Sequence, residues 1–389
     1  MSSPCTTRRR RARPGPRRRP MPCAPRWRRL VLGSLALGLF ALPSCAAGYD
    51  SPSKVSSLRF LALTADHPYA LPGQEVALRM TVDDGLGAPD DPAHAPRDLQ
   101  ILWIGGCFDP AADAFYLCFQ QLAEELAALG QGTPPPAGLV QVGLLPGSRS
   151  GEPDAVEYRL TMPDDIVTRR PAPPSGPHYG IAYVFFAACA GKLAPVDLST
   201  YQGYVPDQGI SIPLQCLDAA GNAQGADSFA VGYTQIYVFA DGRQNANPPI
   251  DGMTFDGADM PEGTTSIPVV PACALTDAER KAKGCGREGL AACQGYDVNA
   301  LIGDVAELNT GATDVDGSPL REIVWVDYFA DRGDFGDELM LVSDAKTGYQ
   351  ATHDTLWYPP AEPGLVSLWT VARDQRGGSS VIRRFVQVQ

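Results

Sequence analysis

The chain has 389 residues and a formal net charge of −12, a length that suits about two domains. Eleven of its 32 basic residues precede Cys45, and no acidic residue does. The part of the chain that follows Cys45 therefore contains 44 acidic residues and 21 basic ones. An acidic surface of this kind repels polyanions. We therefore expect no binding of nucleic acid.

Residues 1–44 have the organisation of an export signal. The arginine-rich start is followed by the uncharged, apolar run Leu30–Leu42, which has 13 residues. A helix needs about 20 apolar residues to span a bilayer, whereas a signal peptide uses a shorter run. We predict a signal peptide over 1–44. Two points stay open: whether Met1 or Met21 is the start, and whether export uses the Sec or the twin-arginine route.

The residues Leu42-Pro43-Ser44-Cys45 resemble the lipobox of bacterial lipoproteins. The resemblance implies that Cys45 is the first mature residue and carries lipid, so that the membrane is a partner through this anchor. It also implies an outer-membrane location, on the periplasmic or surface face, because Ala46 is not the aspartate that retains such proteins in the inner membrane. The alternative is an ordinary signal peptide cleaved near Ala46 or Ala47. Residues 45–57 are expected to form a polar tether.

Seven cysteines follow Cys45 in the sequence, and export to an oxidising compartment makes them disulfide candidates. They are Cys107, Cys118, Cys189, Cys216, Cys273, Cys285 and Cys293. Local pairing favours Cys107–Cys118 and Cys189–Cys216, with two of the other three joined and one thiol left over. The competing interpretation, a zinc site at the last three cysteines, lacks a CxxC motif and a nearby histidine.

Hydrophobic periodicity predicts a mainly β protein. In 75–82, the apolar side chains Val76, Leu78, Met80 and Val82 alternate with other residues, as on one face of a strand. Many short runs of this type, separated by Pro/Gly/Asp turns, favour β-sandwiches over alternating β–α units. The other strand candidates are 58–63, 99–104, 139–145, 155–162, 180–188, 212–217, 229–239, 297–305, 322–329, 339–342, 352–357, 364–372 and 381–388.

One amphipathic helix is predicted within the first half, over 109–130. Asp109 suits its cap, Pro110 its first turn and Gly130 its end, while Phe115, Phe119, Leu122 and Leu126 recur at helical spacing. The polar, proline-ending segment 243–249 is the best linker. We therefore predict a β-sandwich domain over 58–242 with this helix inserted, and a second domain over 250–389.

The second half resembles PKD-type and related bacterial immunoglobulin-like domains. The resemblance rests on Pro363-Gly364, the alternating apolar residues behind them, and then Asp374 and Gly377. A strand bearing Trp325 adds to it, and Trp103 is its counterpart in the first half. The resemblance implies tandem immunoglobulin-like sandwiches in which a strand tryptophan fills the space between the sheets.

Metal binding is suggested only by an acidic cluster. Asp314 and Asp316 precede Gly317, with Asp304 upstream and Asp334 and Asp337 downstream. Calcium takes six to eight oxygen ligands, and Asp-x-Asp-Gly turns supply some of them. The simpler interpretation is a tight turn. No other cofactor is expected.

Catalytic and ligand-binding signals are weak. HExxH, GxSxG and P-loop motifs are missing, and the four histidines (His67, His94, His178 and His353) lie far apart in the sequence. Trp369, with Tyr201, Tyr204 and Tyr233, is a candidate ligand surface. The alternative is that Trp369 packs against a neighbouring domain or loop.

The first functional hypothesis is a non-catalytic, lipid-anchored envelope protein that acts in binding, adhesion or assembly. Its partner would be an unknown envelope protein or glycan. The second is a secreted hydrolase whose site lies in the loops Ser148–Gly151 or Gly191–Gln208. The third is a spacer that holds other parts away from the membrane.

Overall fold

The computed structural model describes residues 51–87, 95–130, 138–147, 155–196, 204–205, 209–210, 214–276, 278–280 and 290–389. The signal peptide, Cys45 and the start of the expected tether lie outside these ranges. The described chain is mainly β, with several sheets and little helix. None of its helices has the length and apolarity needed to cross a lipid bilayer.

Twelve strands and one α-helix form the first half. They are β1 (Leu58–Ala65), β2 (Tyr69–Ala70), β3 (Glu75–Asp84), β4 (Leu99–Phe108), α1 (Phe119–Gly130), β5 (Val140–Leu145), β6 (Ala155–Thr161), β7 (Tyr179–Cys189), β8 (Lys192–Pro195), β9 (Tyr204–Val205), β10 (Gly209–Ile210), β11 (Leu214–Leu217) and β12 (Phe229–Phe239).

The first core lies between a three-stranded sheet, β1-β3-β6, and a five-stranded sheet, β2-β12-β7-β4-β5. The alternating side chains Val76, Leu78, Met80 and Val82 all point into it, as their period of two predicts. Trp103 is fully buried there and stacks on Tyr158 with ring centroids 5.5 Å apart. On the other face of the five-stranded sheet, a second apolar cluster includes α1 and β11.

Thirteen strands form the second half. They are β13 (Gly252–Phe255), β14 (Ala258–Asp259), β15 (Val269–Val270), β16 (Tyr296–Leu301), β17 (Leu308–Thr313), β18 (Pro319–Arg321), β19 (Val324–Ala330), β20 (Asp334–Phe335), β21 (Leu339–Asp344), β22 (Gly348–Tyr349), β23 (Thr355–Tyr358), β24 (Gly364–Asp374) and β25 (Ser379–Val388).

The second core lies between the sheets β14-β13-β16-β23-β20 and β15-β25-β24-β19-β21-β22. The expectation that Trp325 fills this core is wrong. Within β19, Val324, Val326 and Tyr328 are buried, whereas Trp325 lies on the opposite face and is only half-buried. Trp357 of β23 is the buried tryptophan between the two sheets.

The helix is shorter than predicted. It begins at Phe119 instead of following Asp109, and two short 3-10 turns, Ala111–Asp113 and Phe115–Cys118, precede it. Asp109 does not cap it, because its φ of 48° and its contacts to β7 place it in a loop. Gly130, the expected end of the helix, is the last described residue before a gap in the described ranges.

The predicted tether, 45–57, extends too far towards the C-terminus. Residues 51–57 are not a free tether, because Val55 is fully buried and this segment pairs with the end of β19. The Val55 amide donates to the Ala330 carbonyl at 2.8 Å, and the Ala330 amide donates to the Ser53 carbonyl at 2.9 Å. This segment of the first half is therefore a strand-like addition to the second.

The expected linker 243–249 is ordered by contacts with both halves. The Asn245 side chain donates to Asp374 at 2.8 Å, and the Asn247 side chain donates to the Ala65 carbonyl at 2.7 Å. Asn247 also accepts from the Ser379 amide. These bonds make the segment part of a joint between the halves, not a free connection.

Candidate functional site

A cavity of about 500 Å³ opens between two loops of the first half, and we call it the cleft. One side is the last residue of β4 together with the loop that follows it, residues 108–112, and the other side is the loop 169–171. The second loop is anchored just before its arginines, because Ile166 and Val167 are buried in the first core. The cleft therefore lies on a supported surface, not on a free loop.

The loop after β4 has an unusual backbone. Three residues other than glycine, Asp109, Ala112 and Asp113, have φ values of 48°, 55° and 54°. Conformations of this kind cost roughly 1–3 kcal/mol each and persist only where the surroundings enforce them. A disulfide between Cys107 and Cys118, with Cα atoms 5.8 Å apart, closes this loop.

Asp109 ties the same loop to β7. Its amide donates to the Ile181 carbonyl at 2.8 Å, and its carboxylate accepts from the Ile181 amide at 2.8 Å. The carboxylate is 8% exposed. A buried carboxylate needs a cationic partner, and the facing loop supplies two.

The arginines of the second loop bridge to the first. Asp109 accepts from the Arg169 Nε at 2.9 Å and from the Arg170 Nη1 at 3.3 Å. Asp113 accepts from the same Nη1 of Arg170 at 2.8 Å. Charge-assisted bonds of this type are shorter and stronger than neutral ones. The two acids and two bases also leave this part of the cleft without net charge.

Two tyrosines of β7 complete the network around Asp113. The Tyr179 hydroxyl donates to the Asp113 carboxylate at 2.7 Å, and the Tyr183 hydroxyl donates to its main-chain carbonyl at 2.7 Å. The hydrogen bond to Asp113, with burial, raises the pKa of Tyr179. Burial raises the pKa of Tyr183 to about 12. Both phenols therefore stay protonated and act as donors at neutral pH.

Aromatic rings extend from the cleft across the outer face of β7 and β12. Arg170 lies 4.7 Å from the centre of the Tyr179 ring, and Tyr179 contacts Tyr237 with centroids 5.4 Å apart. Phe115, in the disulfide-closed loop, stacks on Tyr233 at 4.2 Å. Tyr233 is 44% exposed. This aromatic surface is continuous with the cleft through Arg170.

Asp109, Asp113, Arg169 and Arg170 form a group that was not predicted from the sequence. Asp109 was assigned to a helix cap, and about 60 residues separate the acids from the arginines. Only the pairing of β4 with β7 brings them together. Of the predicted ligand-surface residues, Tyr233 lies on the aromatic surface and Tyr201 falls outside the described residues.

Trp369, a candidate for the ligand surface, is buried instead. It is 3% exposed and packs against Val55, which precedes β1, and Leu61, which lies in β1. Trp369 therefore packs against the neighbouring half, as the alternative interpretation expected. The half-buried Phe329 and Val381 complete this small cluster.

The acidic residues near Gly317 are not brought together. Asp314 pairs with Lys346 at 2.5 Å, which lowers its pKa, and the Asp316 carboxylate accepts from the Ser318 amide. Upstream, Asp304 pairs with Arg321, and downstream, Asp334 pairs with Arg280. In the part of the chain that the structure describes, no three acidic, histidine or cysteine residues form a metal-holding group.

Among the described residues, six cysteines form three disulfides. Cys107–Cys118 and Cys189–Cys216 are the pairs that the sequence favoured, and Cys273 joins Cys293 with Cα atoms 5.5 Å apart. The zinc interpretation is wrong for this last pair, because a sulfur in a disulfide is not a thiolate ligand. Cys285 lies outside the described residues. The three disulfides indicate an oxidising, exported location.

The remaining candidates for chemistry are dispersed. His353 is 2% exposed and contacts the carbonyls of Gln350 and Ala300 through its two ring nitrogens, which is a structural role. His178 contacts the Arg170 carbonyl at 3.0 Å. The loop Ser148–Gly151 and much of Gly191–Gln208 lie outside the described ranges, as does His94.

Comparisons with known proteins identify no family. No family model matches the chain, and no curated protein matches it either. The solved structures that it resembles include dimeric latent PorU from Porphyromonas gingivalis, at 10% identity and a TM-score of 0.18, covering 86% of this chain and 24% of PorU. The chain thus spans about a quarter of that protein.

Two further structures have similar scores. The fibronectin(III)-like modules of Clostridium thermocellum CbhA match at 11% identity and a TM-score of 0.17, over 85% of this chain and 92% of theirs. The native conformation of E. coli alpha-2-macroglobulin matches at 9% identity and a TM-score of 0.20, over 86% of this chain and 17% of its own. At such TM-scores, none of the three carries a conclusion about this protein.

Proposed function

We propose that the chain is an exported, lipid-anchored envelope protein in which two tandem immunoglobulin-like sandwiches act as a non-catalytic binding, adhesion or assembly module. Its ligand, an envelope protein or a glycan, binds at the cleft. The anchor is the acylated Cys45, and the location is the outer membrane. The excess of acidic residues behind Cys45 disfavours nucleic acid as a partner.

The observation that carries this proposal is the state of the polar groups that line the cleft and lie beside it. Asp109 and Asp113 are both committed to arginines, and the phenols of Tyr179 and Tyr183 are committed to Asp113. A general base must reach the proton that it removes, whereas the Asp109 carboxylate is largely buried beneath these bonds. Groups that bond one another instead suit a surface that holds a ligand in a fixed shape.

A supporting observation is the way in which the two halves are joined. The segment before β1 pairs with β19, and the expected linker bonds to both halves. A joint of this kind presents the cleft at a constant orientation relative to the second half. Constant orientation favours adhesion and assembly, because ordering a flexible binder costs free energy on association.

The anchor is tested by metabolic labelling with a fatty-acid analogue. The wild-type protein should be labelled and recovered with the outer membrane, whereas Cys45→Ala should be neither. Labelling of Cys45→Ala at wild-type level would overturn the proposed site of lipid attachment. Unlabelled wild-type protein that remains soluble after cleavage would leave export in place but remove the anchor.

The binding role is tested by cross-linking in intact envelopes, followed by identification of what is joined to the protein. A specific envelope component should be recovered with the wild type. Screening with ester, peptide and glycoside substrates addresses the opposing outcome. Specific turnover that a single His or Asp substitution abolishes would overturn the non-catalytic assignment.

A further inference from the structure

We infer that the cleft is a site for a short, uncharged saccharide. This inference rests on the proposed binding function and names the chemical class of its ligand. The volume of about 500 Å³ lies within the range of roughly 300–1,000 Å³ that is typical of small-molecule sites. A folded partner needs a far larger contact area, so the cleft itself fits a small ligand or the end of a chain.

The walls of the cleft combine flat apolar surfaces with polar groups. Phe108, Pro110, Ala111, Ala112 and Pro171 supply the apolar part. A sugar ring offers C–H groups on its faces, and these pack against proline rings and alanine methyl groups by dispersion. The apolar lining therefore suits the face of a sugar ring.

The polar residues that line the cleft are Asp109, Arg169 and Arg170. The bonds to Asp109 and Asp113 use the Nε of Arg169 and the Nη1 of Arg170, so other N–H groups of the two guanidinium groups can donate to a ligand. A hydroxyl donates one hydrogen bond and accepts up to two, so these N–H groups are matched by neighbouring sugar hydroxyls. An aliphatic peptide side chain offers no groups of this type.

Charge argues for an uncharged ligand. Each guanidinium of the cleft is matched by a carboxylate, so an anionic ligand would have to break one of these pairs. The chain as a whole carries a net charge of −12, which repels anions at a distance. A cationic ligand would in turn displace an arginine from Asp109, whose carboxylate is largely buried.

The backbone of the loop supports the presence of a site at this position. Left-handed conformations at three residues other than glycine lie along one short loop that borders the cleft. Strained backbone of this kind clusters at ligand-binding positions, where it fixes the shape of the site in advance. The disulfide from Cys107 to Cys118 holds that shape without a ligand.

The test uses the purified full chain and titration calorimetry with defined probes. The probes are di- to tetrasaccharides of glucose, galactose and N-acetylglucosamine, the corresponding uronic acid oligosaccharides, and an uncharged hexapeptide. At least one of the uncharged saccharides should bind, and the uronic acid form of the same chain should bind at least about tenfold more weakly.

The variant Ala111→Trp fills the cleft from an exposed position whose side chain is a single methyl group. This substitution should weaken the binding of the saccharide by at least about tenfold. The matched control is Ala220→Trp, the same substitution in an exposed turn outside the cleft, which should bind as the wild type does. Arg169→Gln is a second variant, at a side chain that is 37% exposed, and it should weaken binding several-fold.

Three results would overturn the inference. They are binding of the uronic acid or peptide probes in preference to every uncharged saccharide, equal saccharide binding by Ala111→Trp and the wild type, and binding by none of the saccharides. The envelope cross-linking experiment separates this failure from failure of the proposed function. A partner captured equally by the wild type and Ala111→Trp would keep the binding role and remove the cleft as its site.

Discussion

The guanidinium group of Arg373, in β24 of the second half, donates a hydrogen bond to the main-chain carbonyl of Leu61 in β1 of the first half. The next two carbonyls on the same side of β1 are bonded in the same way. The Ser379 hydroxyl donates to Leu63, and the Asn247 side chain donates to Ala65. Because β1 is an edge strand, these side chains satisfy acceptors that would otherwise be free to pair with another chain.

The variant Arg373→Met should lower the free energy of unfolding by about 2–3 kcal/mol, because it leaves the Leu61 carbonyl and the Asp327 carboxylate without their cationic partner. Urea denaturation measures the change. The control is Arg79→Met, since Arg79 is 65% exposed in its pair with Glu157 and should change stability by about 0–1 kcal/mol. Equal effects of the two variants would contradict the importance of the joint.

Trp369 and Trp325 should respond very differently to truncation. Trp369→Ala should destabilise by about 3–5 kcal/mol, because it empties a packed cluster with Val55 and Leu61. Trp325→Ala should cost about 1 kcal/mol or less, since this side chain is only half-buried. Thermal and urea unfolding of both variants give the comparison. A larger loss for Trp325→Ala would reverse their assigned positions.

The disulfide pattern predicts three cross-linked peptide pairs in a non-reducing digest of the oxidised protein. Replacing Cys189 and Cys216 together by alanine should lower the free energy of unfolding by about 2–4 kcal/mol, because the unfolded chain gains freedom over a loop with a sequence separation of 27. Cross-links that join Cys285 to any of the six paired cysteines would contradict the pairing.

The phenol of Tyr183 should ionise late in an alkaline titration. Its folded pKa, about 12, lies above the value of about 10 for an unperturbed tyrosine, so the folded state holds the proton more tightly. Stability is therefore unaffected by this group below about pH 10 and falls as the pH rises from about 10 towards about 12.

The measurement is the phenolate absorbance of the wild type minus that of Tyr183→Phe, followed as the pH rises. The difference should appear near pH 12 in the folded protein and near pH 10 in urea. A difference that appears near pH 10 in both conditions would contradict the burial of this hydroxyl.

Local patterns predicted the strands well, because burial on one face of a sheet imposes a period of two that short segments display by themselves. The run over 229–239 coincides with β12, and the alternation over 75–82 lies within β3. The helix was predicted to begin too early in the chain. Its apolar spacing is visible in the sequence, whereas the left-handed residues before it depend on contacts with β7.

The roles of the tryptophans could not be predicted in the same way. Trp325, Trp357 and Trp369 all lie in strands, and a strand has two faces. Which face is buried depends on what covers the sheet. For Trp369 the cover is residues 51–57 and β1, which the sequence assigned to a tether and to another domain.

The sequence by itself determined the β-rich architecture and two of the three disulfides among the described residues, because each depends on neighbours within a short stretch of chain. The export signal stays a prediction. Only the tertiary structure decided the cleft and the joint between the halves. Asp109 meets Arg170, and Leu61 meets Arg373, because strand pairing and side-chain hydrogen bonds join residues that are far apart in the chain. Contacts of that kind leave no local pattern, since neither partner changes the periodicity around it.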